Sequence, residues 1–370
     1  MKFTRIITLS LISALSIGTL IGVAEVNKVP VDRNFEIKDE KGNREALQSV
    51  AFESVIKVDN NKFEKVILTK DDVEFKDTKY DILHGVGEKV LNNKDMYRGM
   101  NYASEYENSE FTMIAAFNTN FPYGSNEAYV TIAKKDKKTN QLQKEKITVP
   151  GITTNMLITE EKLFEHNDSI YYSAVLQSMN GSVGPILKIY QIQSNLQLKD
   201  VMNVDLSLPG DYTDVSRLVT DGDTLFMILS DQQEKKLMEI NLDTNKHVKH
   251  DIPEFSKDDP YIQMFRVDEN YFYMNVDSSM FVIDKNTYKQ VNQKVMQPSF
   301  ISKYDYVSPV DQTESDETLY VIYEGYKNNI SDMYVVAYHA ATGDILYEGK
   351  LPSTVNRGVS AYKFLKESNS

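Results

Sequence analysis

The chain contains no cysteine and no tryptophan. Without cysteine there is no disulfide, no thiolate metal site, no cysteine nucleophile and no acylated lipoprotein cysteine. Histidine is scarce, with five in 370 residues. Basic residues are outnumbered, 41 Lys+Arg against 54 Asp+Glu, for a net charge of −13. That balance argues against nucleic acid as a partner, because a phosphate backbone rewards clustered cations. What is present is apolar and aromatic. Hydrophobic residues make up 41%, with 23 Tyr and 16 Phe, too much for a disordered chain and typical of sheet-rich proteins. A chain of 370 residues exceeds the size at which one core usually stops growing, so a closed repeat or two domains both fit.

Lys2 and Arg5 precede Ile6–Ala24, which carries no charge until Glu25. As a helix this run spans about 28 Å, close to the apolar thickness of a bilayer. Gly22 and Ala24 are small residues at the −3 and −1 positions of a cleavage site before Glu25, as in a signal peptide; an uncleaved signal anchor fits the same residues. Both readings place the bulk of the chain outside the cytoplasm, secreted or anchored to the cell membrane by residues 6–24, with Lys2 and Arg5 held inside. Residues 25–48 are polar and read as a linker, with one helical turn at Glu45-Ala46-Leu47. Residues 49–370 form the remaining domain.

In that domain one profile recurs about every fifty residues. The apolar runs Phe111–Phe117, Ile170–Val175, Leu225–Leu229, Tyr271–Met274 and Leu319–Tyr323 are short, rich in aromatic and β-branched residues, and bounded by breakers such as Asp221-Gly222-Asp223 and Asp268-Glu269-Asn270. Such runs read as buried strands. Each is followed by a second strand, at Ala128–Ala133, Ile186–Tyr190, Leu237–Leu242, Met280–Ile283 and Met333–Tyr338, and then a hairpin rich in Asp, Asn and Gly. A charged strand closes the repeat, for example Gln143–Lys146 and His247–His250, as an exposed sheet edge requires. Four strands per repeat, inner ones apolar and the outer one polar, describe a propeller blade. A parallel α/β sheet would need amphipathic crossover helices, and none is evident.

With strands lettered A to D outward from the axis, the A strands fall at Met96–Tyr102, Thr153–Ile158, Val215–Val219, Ile262–Val267 and Ile301–Val307. That makes five blades. Val50–Val58, Phe63–Thr69 and Val73–Lys76 supply B, C and D of another, and Val359–Leu365 is a lone strand that completes it. The fold is therefore all-β, a six-bladed β-propeller closed by its C-terminal strand. Seven blades, the second choice, would need a repeat within Lys79–Lys94, which is too short. Ala340–Glu348 resembles the outer-strand turn of quinoprotein-like and YVTN-type propeller repeats, with His339 where those repeats carry Asp. Asp243-Thr244-Asn245 and Asp284-Lys285-Asn286-Thr287 resemble degenerate copies. The blade-locking tryptophan of quinoproteins is missing, so the resemblance implies architecture and no activity. More loosely, the whole is similar to exported or membrane-anchored propellers of Gram-positive bacteria.

No residue qualifies as catalytic, cofactor-binding or metal-ligating, and no cofactor is expected. His247 and His250 lie three apart, on opposite faces of a strand. His84-Gly85-Val86-Gly87 is too poor in glycine to cradle phosphate, Asn180–Gly184 lacks the first glycine of a nucleophile elbow, and Asp221-Gly222-Asp223 and Asp258-Asp259-Pro260 lack the ligand spacing of a calcium loop. Tyr171, Tyr172, Tyr271, Tyr273, Tyr320, Tyr323 and Tyr326 suit packing between blades better than a ligand surface. His84–Asn108 and Asn118–Asn126 are expected as the largest rim loops. The functional expectation is a non-enzymatic extracytoplasmic binding or scaffold module for an envelope protein, peptide or ligand, in contact with membrane only through the N-terminal helix. The alternative is a metal-dependent propeller hydrolase or lactonase with an axial site. A central channel lined by Ser, Tyr and Met would favour the first; three or more Asp, Glu, Asn or His side chains converging within metal reach would favour the second.

Overall fold

The computed structural model describes residues 35–365, except 60–61, 82–85, 101–102, 120–127, 150–151, 153–155, 179–183, 211–212, 253–261, 277–278, 292–296, 316, 329 and 353–360. The apolar run 6–24, His84, Asp258–Pro260 and Val359 lie outside these residues. Among the described residues no helix is long and apolar enough to cross a membrane.

Six antiparallel sheets form the blades, five of them with strands A to D in order and blade 5 with A to C, beside a small two-stranded sheet of Tyr80–Asp81 and Val86–Gly87. Blade 2 is Ser104–Glu107, Phe111–Thr119, Ala128–Asp136 and Leu142–Thr148; blade 3 is Met156–His166, Ser169–Ser178, Ile186–Ile192 and Leu198–Asp205. In blade 4 the A strand is broken into Asp214–Val215 and Val219–Asp221, ahead of Thr224–Ser230, Lys235–Asn241 and Lys246–Asp251. Blade 5 has Ile262–Val267, Tyr271–Val276 and Ser279–Asp284, and its outer edge is reduced to the bridge Ile283–Gln290. Blade 6 has Tyr306–Ser315, Thr318–Lys327, Ile330–His339 and Ile345–Lys350. Blade 1 joins the chain ends: Phe52–Asp59, Lys62–Leu68 and Val73–Thr78 receive the C-terminal strand Lys363–Phe364 as their innermost member. Phe52 pairs with Phe364, and the Leu365 N–H donates to Ala51 O at 2.9 Å. The six-bladed ring closed from the C-terminus is thus the observed architecture.

Two inner strands sit later than the sequence pattern places them. Met96 belongs to the short helix Lys94–Tyr97, and the A strand begins at Ser104. Ile301–Lys303 is a 3-10 turn, and that A strand begins at Tyr306. In both cases the apolar residues that suggested a strand are used for packing. Met96 is buried against Ile114 and Ala133 of blade 2, and Ile301 packs on the cluster around Phe300. His84–Asn108 is accordingly not one irregular loop: the helices Glu88–Asn92 and Lys94–Tyr97 fold within it.

The core lies between blades rather than inside one globule. Separate apolar clusters join blades 2 and 3, 3 and 4, 4 and 5, 5 and 6, and 6 and 1. The tyrosines serve this packing. Tyr172 is in the cluster of blades 2 and 3, Tyr273 and Tyr323 in that of blades 5 and 6, and Tyr320 in that of blades 6 and 1. Tyr326 instead stays 40% exposed beside Tyr306.

The segment read as a linker needs correction from residue 35 onward. Lys38–Gly42 forms a fifth strand on the outer edge of blade 6, paired with Ile345–Lys350. All five of its residues are exposed, so no hydrophobic period announces it; edge pairing depends on backbone groups that any sequence carries. Gly42 has φ +84°, and a Cβ there would collide with the Leu346 carbonyl oxygen. The expected turn at Glu45–Leu47 is present as the 3-10 helix Arg44–Leu47, capped by the Asn43 side chain accepting from the Glu45 N–H. Leu47 is 0% exposed and Ile37 3%, both in the cluster between blades 6 and 1. Leu47→Ala is therefore expected to cost about 2–5 kcal/mol in urea unfolding, while Lys38→Ala should stay within about 0.5 kcal/mol.

Candidate functional site

Side chains alternate across a strand, so every second residue of an inner strand faces away from its own blade's packing partners. The A strands of blades 3 to 6 and the turns that lead into their B strands line a cavity of about 520 Å³, mostly with polar residues but with Val219, Val267 and Leu319 among them. Lys162 comes from blade 3, Thr220 and Asp221 from blade 4, Arg266, Asp268 and Glu269 from blade 5, and Gln312, Thr313 and Glu314 from blade 6. Neither discriminating lining is met: Ser, Tyr and Met do not line this wall, and although Asp221, Asp268, Glu269 and Glu314 do, no three of His, Cys, Asp and Glu among the described residues are grouped to hold a metal ion.

Most of those charges are paired with one another. Arg266 Nε donates to Glu314 across the interface of blades 5 and 6, and its Nη2 lies 3.4 Å from Asp268 Oδ2. The guanidinium sits 5.0 Å over the Tyr273 ring, and its Nη1 is buried with no hydrogen-bond partner among the described residues. Asp268 is held by the Tyr273 hydroxyl at 2.8 Å and the N–H groups of Asn270 and Tyr271 at 2.9 and 2.8 Å. Asp221 pairs with Lys285 of blade 5. Turn chemistry and ion pairing thus account for the Asp221-Gly222-Asp223 turn, in which Gly222 has φ +55°.

Lys162 is different. Its Nζ donates to Leu218 O at 3.2 Å and Thr220 Oγ1 at 3.4 Å, both neutral acceptors. Burial lowers its pKa to about 8; Arg217 adds to the fall and Glu160 opposes it. Glu160 shares that face, accepts from the Leu218 N–H at 3.4 Å, and is raised by burial. Glu161, on the opposite face, points into the contact of blades 2 and 3. Its Oε2 accepts the Tyr172 hydroxyl at 2.5 Å and the Phe117 N–H at 3.1 Å. Burial lifts its pKa to about 7.

The other sequence candidates do not join this cavity. His166 is buried and bonded to Asp243 Oδ1 at 2.8 Å. His250 stacks on Tyr288 and contacts Glu239 Oε2 at 2.7 Å, whereas His247 is exposed on the other face of the strand. His339 faces Glu317 at 3.7 Å. Among the described residues no three of His, Cys, Asp and Glu are grouped to hold a metal ion. Sequence reasoning missed Lys162, Arg266 and Glu314, which share no linear motif. The one available signal was a charged residue within each inner strand.

Several solved structures are similar in fold. A cobalt-substituted apocarotenoid oxygenase of Synechocystis is 8% identical with a TM-score of 0.47, covering 85% of this chain and 92% of its own. A periplasmic gluconolactonase of Pseudomonas aeruginosa is 12% identical with a TM-score of 0.44, covering 80% and 81%. A prolyl endopeptidase is 10% identical with a TM-score of 0.44, covering 82% of this chain and 50% of its own. No protein-family model matches the chain, and no curated protein sequence does.

Proposed function

We propose that this propeller is a non-enzymatic binding module displayed outside the cytoplasm, recognising an envelope protein, peptide or small ligand through the cavity of blades 3 to 6. The observation that carries the reading is the wall of that cavity. Four blades contribute polar side chains whose ion pairs, Arg266–Glu314 and Asp221–Lys285, are already formed. Such a wall is pre-organised, which lowers the ordering cost of binding. The basic start Lys2/Arg5 and the uncharged run Ile6–Ala24 support export.

The test places a photo-cross-linking amino acid at position 313 in the cavity wall of the exported protein, and at exposed position 246 on an outer strand as control. A discrete adduct from position 313 alone is the expected result, with lactone hydrolysis at the solvent rate in Ca²⁺, Mn²⁺ or Zn²⁺. Metal-dependent turnover that chelator abolishes would replace this reading with the hydrolase one. Equal labelling from both positions would remove the cavity as the site.

A further inference from the structure

We infer that the cavity of blades 3 to 6 selects a ligand bearing a carboxylate, received by the Lys162 ammonium with the Arg266 guanidinium on the same wall. The inference deepens the binding reading above and rests on it.

The pairing of the charges leads there. The carboxylates of the wall are largely committed. Asp221 has Lys285, Glu314 has Arg266, and Asp268 has a hydroxyl and two backbone N–H groups. These three shape the cavity without calling for a further cation, and Glu269, the fourth, is exposed. One of the two cations is less well served. Lys162 touches only a carbonyl and a hydroxyl, and the nearby Glu160 turns its Oε1 to the Leu218 N–H. Arg266 adds its positive charge to the same wall, although Glu314 and Asp268 take its Nε and Nη2 and its Nη1 is enclosed by protein. A half-buried ammonium without a bonded counter-charge costs free energy. The lowered proton affinity of Lys162 is the same cost seen from the side of the lysine. One carboxylate entering the cavity relieves it. A phosphate dianion suits the wall less, because Asp221, Asp268, Glu269 and Glu314 make like-charge repulsion grow with each added negative charge.

The test is calorimetric titration of the full exported protein with a blocked dipeptide carrying a free C-terminal carboxylate and with its carboxamide. Glucuronate against glucose is the second pair. A dipeptide preference points to a peptide end as the source, and a glucuronate preference to a sugar acid. In either pair the acid is expected to bind at least tenfold tighter than its neutral partner. Lys162→Met and Lys162→Gln should erase that ratio while unfolding stays cooperative, because the two hydrogen bonds they remove run only to neutral acceptors at the cavity wall. Equal affinity of acid and neutral partner in the unaltered protein overturns the inference. So does a ratio that both Lys162 variants preserve, or no binding of either acid. If the acids fail while the adduct from position 313 still forms, the carboxylate inference falls and the binding module stands. If the adduct also fails, both fall.

Discussion

Deleting Arg357–Ser370 is expected to yield a chain that no longer unfolds cooperatively, while deleting only Glu367–Ser370 should leave the thermal transition unchanged. The longer deletion removes the innermost strand of blade 1, Lys363–Phe364, and with it two buried aromatics, Tyr362 and Phe364. Full burial of such side chains is worth about 1.5–3 kcal/mol each. Their loss also strips partners from neighbours on two blades: the Phe52 ring lies 5.4 Å from Phe364, and the Tyr320 ring 6.3 Å. The Phe364 N–H donates to Asp311 Oδ2 of blade 6 at 2.7 Å, so that carboxylate would face an opened seam. Together these terms approach the whole stability of a domain, about 5–15 kcal/mol. The shorter deletion leaves every one of these contacts in place. Circular dichroism melts of both truncations check the expectation, with Phe364→Ala, expected to cost about 3–5 kcal/mol, as the milder probe. If the longer truncation melts as the full chain does, ring closure by this strand is not what holds blade 1.

What could be read from the residues follows from where each strand sits. The B and C strands, such as Thr224–Ser230 and Ile330–His339, are packed on both faces by adjacent blades. They therefore appear as continuous apolar runs, and the fifty-residue spacing is legible through them. The A strands face the axis with half of their side chains. Glu160, Lys162, Arg266 and Glu314 interrupt the apolar pattern there, and in blades 2 and 6 the apolar Met96 and Ile301, which pack outside the strand, make the A strand look several residues earlier than it is. The fifth strand of blade 6, Lys38-Asp39-Glu40-Lys41-Gly42, has no buried side chain and reads as linker by any hydropathy rule. Yet the Tyr347 hydroxyl donates to its Asp39 at 2.5 Å, and Arg44 pairs with the same carboxylate and holds its pKa down. The candidate site is the least legible part. Lys162, Arg266 and Glu314 become neighbours only because the ring brings blades 3, 5 and 6 to one axis, and no spacing along the chain encodes that.

Glu161→Gln is expected to make the protein more stable at neutral pH and equally stable in mild acid. The Glu161 carboxyl lies in the contact of blades 2 and 3, where burial raises its pKa from 4.5 to about 7. The Tyr172 and Phe117 hydrogen bonds to Oε2 pull the other way without cancelling that rise. A carboxyl whose folded pKa is raised binds its proton more tightly in the folded state. Its contribution is fully present below about pH 4.5 and is lost as pH climbs through about 7. At about 1.4 kcal/mol per unit of difference, the loss is at most about 3 kcal/mol. Glu160, also raised by burial, acts with the same sign, so some slope should remain in the variant. Lys162 does not confuse the window. Its lowered pKa near 8 makes stability rise with pH only above that value. Urea unfolding of both proteins at pH 4.5, 5.5, 6.5 and 7.5 reads the Glu161 term by difference, together with its coupling to the neighbouring Glu160 charge. The gap should open from near zero at pH 4.5 and favour Gln by up to about 3 kcal/mol at pH 7.5. Parallel profiles for the two proteins would show that the buried carboxyl between blades 2 and 3 is ionised in both states and carries no such charge penalty.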